Sequence, residues 1–214
     1  SVHGLIGSLL AAGLLRKTDE RHFALGAHVM YWANGFLAQQ DIVAEFHEAI
    51  ARLPELDPYT LTLSTLSNDQ VVYLACRNSQ SPLGFTFRIG MQLPAVFTAT
   101  GKMMLSALSA AEVQALLPQF PPPYTERSVQ SHTELADELA GCRRQGYALD
   151  DGQLRRGMHC FGTAVFDHAG QARFGVAASL IEAEADEKTR QHLVDGLKKL
   201  AAQLTRTLGG QLPA

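Results

Sequence analysis

The sequence has few of the features that mark secreted or membrane-spanning proteins. Only three cysteines, Cys76, Cys142 and Cys160, occur in 214 residues, and none has CxxC spacing, so we expect reduced thiols and a cytoplasmic location. No apolar run approaches the roughly 20 residues that span a bilayer, so no membrane partner is expected. The N-terminal residues 1–4 lack the character of a signal peptide.

The sequence also lacks a large excess of positive or negative charge. The chain has 18 Lys and Arg against 21 Asp and Glu, for a formal net charge of -3. This balance excludes a protein that is basic all over, so any contact with nucleic acid must come from a local basic surface.

The motifs of the common enzyme classes are absent. The sequence contains no GxSxG, HExxH, P-loop or GxGxxG motif, and no pair of histidines has metal-ligand spacing on a predicted helix. Asp150 and Asp151 are adjacent, but neighbours on a strand point to opposite faces, so they do not form a catalytic pair. We therefore expect no enzyme activity, no metal and no cofactor.

What the chain does contain, from about residue 54 onward, is a series of strand and helix patterns. Ser109 with Glu112, and Ser131 with Glu134, are predicted capping boxes at two helix starts. Together the patterns predict an α+β fold, an antiparallel sheet with helices on its faces and ends. The predicted strands are 59–66, 71–77, 83–90, 147–150, 158–166 and 174–181, and a final helix carries a stripe of Leu193, Leu197, Leu200, Leu204 and Leu208.

The first 25 residues predict a short helix over 1–12, a Gly13 cap and a β-hairpin. One helix and one hairpin cannot bury their own apolar faces, so we expect further elements upstream. A helix with small polar groups beside a basic hairpin is typical of DNA-binding domains. The predicted DNA contacts are Ser1, His3, Gly4 and Ser8 on the helix, and Arg16, Lys17 and Arg21 on the hairpin.

Two helical stretches follow in residues 27–53. Trp32, Phe36 and Leu37 on the first have no partner within so short a segment. A second copy of the chain is the expected cover for these side chains, so we predict a symmetric oligomer.

Cys160 is the best candidate for a nucleophile, and its position favours another interpretation. It lies in the middle of the strand predicted over 158–166, on the same face as Met158. A buried cysteine usually behaves as a small apolar residue, so we expect Cys160 to line the core or a pocket. His159 points to the opposite face and cannot serve as its base.

Three segments together resemble the IclR family of transcriptional regulators. SVHGLIGSLLAAGLL…FALG is similar to the family's S-x-x-R-L-L-x-x-L…G-x-L recognition helix and wing with its Y-x-L-G close. IGMQLPAVFTATGKMMLSALS resembles V-G-x-x-L-P…A-x-G-K-A-x-L-A-x-L-S, and GYALDDGQLRRGMHCFGTAVFDHAG resembles G-Y-x-x-D-x-E…G-x-x-C-I-A-A-P-V-F-D. The resemblance covers nearly the whole chain.

The resemblance implies three parts. Residues 1–26 are expected to be the C-terminal part of a winged helix-turn-helix, 27–40 a linker helix, and 41–212 a GAF-like effector-binding domain. It implies operator DNA and a small effector, commonly an anionic or aromatic metabolite, as partners, and a homodimer or homotetramer. The implied pocket residues are Phe85, Leu93, Ala99, Thr100, Gly101, Asp150, Met158, Cys160, Ala177 and Ser179.

The chain departs from the family pattern in ways that bear on its ligand and on DNA. Gly4 replaces an arginine, Gln153 a glutamate and Ala164 a proline, while Ala177 and Phe85 make the expected pocket more apolar. An aromatic or larger carboxylic acid is therefore the expected effector, held by backbone N–H groups near Gly101 rather than by an inward Arg or Lys. The alternative functions are a sensing module without DNA binding, which Gly4 favours, and a GAF-like enzyme.

Overall fold

The chain divides into two compact units, residues 1–41 and 42–214. The computed structural model describes residues 2–19, 22–38, 42–79 and 86–212, and of residues 34–38 it describes the helix but not the side chains. Within those ranges no helix is long and apolar enough to cross a membrane.

The first unit contains a helix, a hairpin and a second helix. Helix α1 spans Val2–Ala11, and Gly13 terminates it with a positive φ of 68°. This conformation lets Leu14 N–H donate to the Leu9 carbonyl. Strands β1 (Leu15–Lys17) and β2 (Phe23–Leu25) pair antiparallel, and α2 (His28–Ala38) follows. The predicted helix and hairpin are therefore confirmed.

The second unit is built on a six-stranded antiparallel sheet. Its strands are β3 (Thr60–Ser67), β4 (Gln70–Arg77), β5 (Gln92–Pro94), β6 (Ala148–Asp150), β7 (Met158–Phe166) and β8 (Ala172–Ile181). Their order across the sheet is β5-β4-β3-β8-β7-β6. The two longest strands, β7 and β8, pair with each other and are buried over nearly their whole length.

Helices cover both faces of this sheet. On one face, α3 (Ile42–Ala51) and α7 (Glu187–Thr207) pack against alternate residues of β3, β7 and β8. On the other face lie α4 (Ala99–Ser106), α5 (Ala110–Leu116) and α6 (His132–Gln145). The predicted α+β fold is confirmed, and so is the leucine stripe of α7, whose Leu193, Leu197, Leu200 and Leu204 are buried.

Two local predictions need correction. The strand predicted over 83–90 falls partly outside the described residues, and 86–90 are not a strand. There the backbone of Phe87 is instead hydrogen-bonded to the side chain of Asn78, and the regular strand is β5, Gln92–Pro94.

Of the two predicted capping boxes, the one formed by Ser109 and Glu112 is present. At α6, however, the Glu134 carboxylate accepts from Gln130 N–H, so only the Ser131 half of that box forms.

Candidate functional site

Helix α4 approaches the sheet closely because two strand residues have no side chain. A Cβ on Gly175 would come within 2.6 Å of the Thr100 Cβ, and one on Gly162 within 2.9 Å of the Ala99 Cβ and of the Thr100 nitrogen. Atoms cannot approach so closely without displacement. The first turn of α4 therefore lies directly on β7 and β8.

The N-terminus of α4 presents backbone donors at this contact. Thr98 is the N-cap, and its hydroxyl oxygen accepts from Gly101 N–H at 3.1 Å. The N–H groups of Ala99 and Thr100 have no acceptor within the helix, because the first turn of any α-helix lacks them. Gly101 was expected near the helix start and among the donors, but its N–H is already occupied by the cap.

A narrow cavity with room for about one water molecule lies between this turn and the sheet. Six of the predicted pocket residues line it: Ala99, Thr100, Asp150, Cys160, Ala177 and Ser179. Met158 and Leu93 belong to the surrounding apolar cluster without lining the cavity, and Phe85 lies outside the described residues. Lining residues that the sequence did not indicate are Thr62, Tyr73, Phe87, Thr98 and Leu154.

Asp150 is the most unusual group in the cavity wall, since only 1% of it is exposed. Its Oδ1 accepts from the backbone N–H groups of Gly152, Gln153 and Leu154, at 3.1, 2.7 and 3.3 Å. Its Oδ2 is buried and has no hydrogen-bond partner among the described residues. Burial raises the pKa of this carboxyl to about 6, although Lys102 and the three backbone donors oppose the rise.

Lys102 is the second buried charge of the site. No lysine was expected to point into the pocket, and Lys102 does not line the cavity; it is nevertheless only 1% exposed, and its Nζ lies 2.7 Å from the Glu138 carboxylate. It also donates to the Leu149 carbonyl at 2.9 Å. The cation therefore lies behind the cavity wall next to Asp150, where an ion pair and a backbone carbonyl satisfy it.

Cys160 does not have the environment of a nucleophile. Its Sγ lies 3.1 Å from the Ser179 hydroxyl, and burial together with the nearby Asp150 raises the pKa of the thiol above its usual range. Only a thiolate is nucleophilic, so a raised pKa opposes covalent chemistry. His159 lies on the other sheet face, as predicted, next to Glu182.

The predicted DNA-contacting residues that the structure describes are exposed. His3, Gly4 and Ser8 lie on α1, and Arg16 and Lys17 on β1. The Ser8 hydroxyl donates to the Gly4 carbonyl at 3.0 Å, within the helix itself. Ser1 and Arg21 lie outside the described residues.

The described part of the chain contains no group of three or more His, Cys, Asp or Glu side chains that could hold a metal ion. The polar groups of the cavity are instead hydroxyls, backbone N–H groups and one carboxylate. Such an arrangement can bind a small organic molecule by hydrogen bonds.

Comparison with known proteins agrees with this architecture. The family model described as bacterial transcriptional regulator IclR C-terminal matches residues 34–206. The chain therefore belongs to the IclR family of bacterial transcriptional regulators.

Individual relatives support the same assignment. The chain is 29% identical over 171 residues to the acetate operon repressor of Salmonella typhimurium, an alignment that covers 78% of this chain and 62% of that protein. The HTH-type transcriptional regulator XynR of Escherichia coli is 25% identical, over 98% of this chain and 84% of its own. The crystal structure of the repressor BlcR from Agobacterium tumefaciens matches with a TM-score of 0.76 and 45% identity, over 98% of this chain and 84% of that one.

Proposed function

We propose that this chain is a DNA-binding transcriptional regulator controlled by a small polar metabolite that binds in the cavity under α4. The observation that carries the proposal is Asp150 Oδ2, a buried carboxylate oxygen without a partner in the described residues. An unsatisfied buried acceptor costs about 1–3 kcal/mol, and a ligand hydroxyl that donates to it would remove that cost.

The cavity defines the chemistry of the ligand. Asp150 Oδ2 would accept a hydrogen bond from a ligand hydroxyl, while the free N–H groups of Ala99 and Thr100 and the Ser179 hydroxyl would bind a carbonyl or carboxylate oxygen. The cavity holds about one water molecule, so even a ligand of a few heavy atoms requires its walls to move apart. A small ligand requires the least movement, and an aromatic acid, as expected from the sequence, would require more.

The remaining parts of the chain fit a regulator. We assign residues 1–26 to the C-terminal part of a winged helix-turn-helix, 27–40 to a linker helix and 41–212 to the effector-binding domain. XynR, an HTH-type regulator by name, aligns with 98% of the chain, which includes the first unit. Trp32 is 58% exposed and Tyr31 72% within that unit, and we assign this apolar surface to a homodimer.

A thermal-shift screen tests the proposed pocket. The compounds are hydroxy acids, hydroxy amides, hydroxy aldehydes and hydroxy ketones of two to five carbons. A ligand at 100 times its Kd stabilises the fold by about 2.7 kcal/mol, which is measurable as a rise in Tm. The variant Ala177→Val adds two methyl groups to the cavity wall. Its control, Ala172→Val, makes the same change on the same strand away from the cavity.

We expect compounds that raise the Tm of the wild type to raise that of Ala177→Val by much less, and that of Ala172→Val fully. Equal stabilisation of Ala177→Val by every such compound would place the effector site elsewhere.

A further inference from the structure

Behind the cavity wall, a partly exposed carboxylate forms an ion pair with a buried cation. Glu138 projects from α6 with its side chain about one-third exposed, and one of its oxygens lies 2.7 Å from the Nζ of Lys102. Lys102 is buried and close enough to Asp150 to lower the pKa of its carboxyl. Glu138 itself does not line the cavity.

Gln153 holds this carboxylate in place. Its Nε2 donates to the second oxygen of Glu138 at 2.9 Å, and its Oε1 accepts from Val129 N–H at 3.3 Å. The backbone N–H of the same residue donates to Asp150 Oδ1 at 2.7 Å. One buried residue is therefore bonded to both the cavity carboxylate and the surface carboxylate.

The pairing changes the electric field inside the cavity. An unpaired Lys102 would act as a point cation beside Asp150 and would attract an anionic ligand. Paired with Glu138, it acts as a dipole, whose field falls off more steeply with distance. The charge of Asp150 then dominates, because the other groups that face it are neutral: the Tyr73 hydroxyl from β4, the Cys160 thiol from β7, the Ser179 hydroxyl from β8 and the N–H groups of 152–154.

We propose that Glu138, oriented by Gln153, is a specificity-determining residue that makes the cavity select uncharged hydroxyl- or carbonyl-bearing ligands over the corresponding anions. This inference rests on the proposed effector function of the cavity. It assigns a role in ligand choice to a residue that never touches the ligand.

The test uses a matched pair of probes, glycolate and glycolamide, which have the same hydroxyl and nearly the same size and differ in charge. Binding of each is measured by NMR titration of the wild type, of Glu138→Gln and of Asp137→Asn. Asp137 is the control because it is an exposed acid on the same helix, one residue away. The pKa of Asp150 is followed in the same proteins through its side-chain carboxyl ¹³C shift.

We expect the wild type and Asp137→Asn to prefer glycolamide. In Glu138→Gln the pKa of Asp150 should fall by about one unit, because Lys102 is no longer neutralised, and the affinity ratio should move about tenfold toward glycolate. Gln153→Glu adds a negative charge instead. It should raise the pKa of Asp150 and shift the ratio further toward glycolamide, so it tests the inference even if Glu138→Gln folds poorly.

An unchanged Asp150 pKa and an unchanged probe preference in both variants would overturn the role of Glu138. If neither glycolate nor glycolamide binds the wild type, that result contradicts the proposed binding of small hydroxyl-bearing ligands in the cavity. The Asp150 titration still decides whether Glu138 controls the charge of the cavity.

Discussion

At the scale of single residues, Asp150 combines a structural role with a buried hydrogen-bond acceptor that has no partner in the described residues. One oxygen organises the turn at 152–154 and the other is left for a ligand. Its pKa of about 6, against an ordinary 3.8, means that the folded protein binds this proton more tightly than the unfolded chain. Stability contributed by the protonated form is therefore complete below about pH 4 and is lost as the pH rises to 6, by about 3 kcal/mol in total.

The variant Asp150→Asn tests this account of the carboxyl. Asparagine keeps an oxygen for the three backbone donors but cannot ionise, so its stability should lack this pH dependence. Between pH 4 and pH 7.5, urea denaturation should show the variant gaining about 2–3 kcal/mol relative to the wild type. A constant difference between the two proteins over that range would mean that Asp150 has an ordinary pKa.

Some residues of the cavity wall could be predicted from the sequence, and others could not. Met158 and Cys160 share a face by simple alternation, so the cavity face of β7 could be predicted. Tyr73 could not, because the pairing of β3 with β4 shifts register between Leu63 and Ser64 and interrupts the alternation. The buried hydroxyls of Thr60, Thr62 and Ser64, every second residue of a central strand, were the available sign of a polar cavity on that face.

At the scale of elements, α7 could be predicted from the spacing of its leucines, because it buries one face against the sheet. Strand β7 could be predicted from its short apolar run, because both of its faces are buried. The segment 86–90 could not, because its backbone groups bond to the Asn78 side chain and to Tyr73 rather than to a regular strand partner. The partners of Lys102 could not be predicted, for a related reason. Its burial depends on Glu138 and Leu149, which are distant in sequence.

The contact of α4 with the sheet gives a prediction at this scale. Gly175→Ala places a Cβ 2.6 Å from the Thr100 Cβ, so α4 must shift, and we expect a loss of about 1–3 kcal/mol in the free energy of unfolding. Gly141→Ala, in α6, is the control. Its nearest neighbour would be the Arg144 side chain at 3.9 Å, and removing a helix-interior glycine should stabilise by up to about 1 kcal/mol.

Urea denaturation of both glycine variants provides the measurement. Equal stability of Gly175→Ala and the wild type would show that the α4 contact tolerates a side chain and does not set the cavity geometry.

At the scale of the whole molecule, the two proposed activities, ligand binding and DNA binding, belong to separate units. The family model matches residues 34–206 and the sheet with its cavity lies in residues 42–214, whereas the exposed basic residues Arg16 and Lys17 lie in the first unit. The chain spans less than two thirds of relatives such as the acetate operon repressor. Regulation requires that ligand occupancy in one unit changes DNA affinity in the other, which is a coupling free energy between two sites.

The most direct test of the central claim measures that coupling. A duplex is selected from a random DNA library with the wild-type protein, and its Kd is measured with and without a compound that raises the Tm of the wild type but not of Ala177→Val. Couplings of this kind are typically about 1–3 kcal/mol, so we predict a change of about 5-fold or more in the wild type and none in Ala177→Val. A DNA affinity that is unaffected by every such compound, or affected equally in both proteins, would contradict the account.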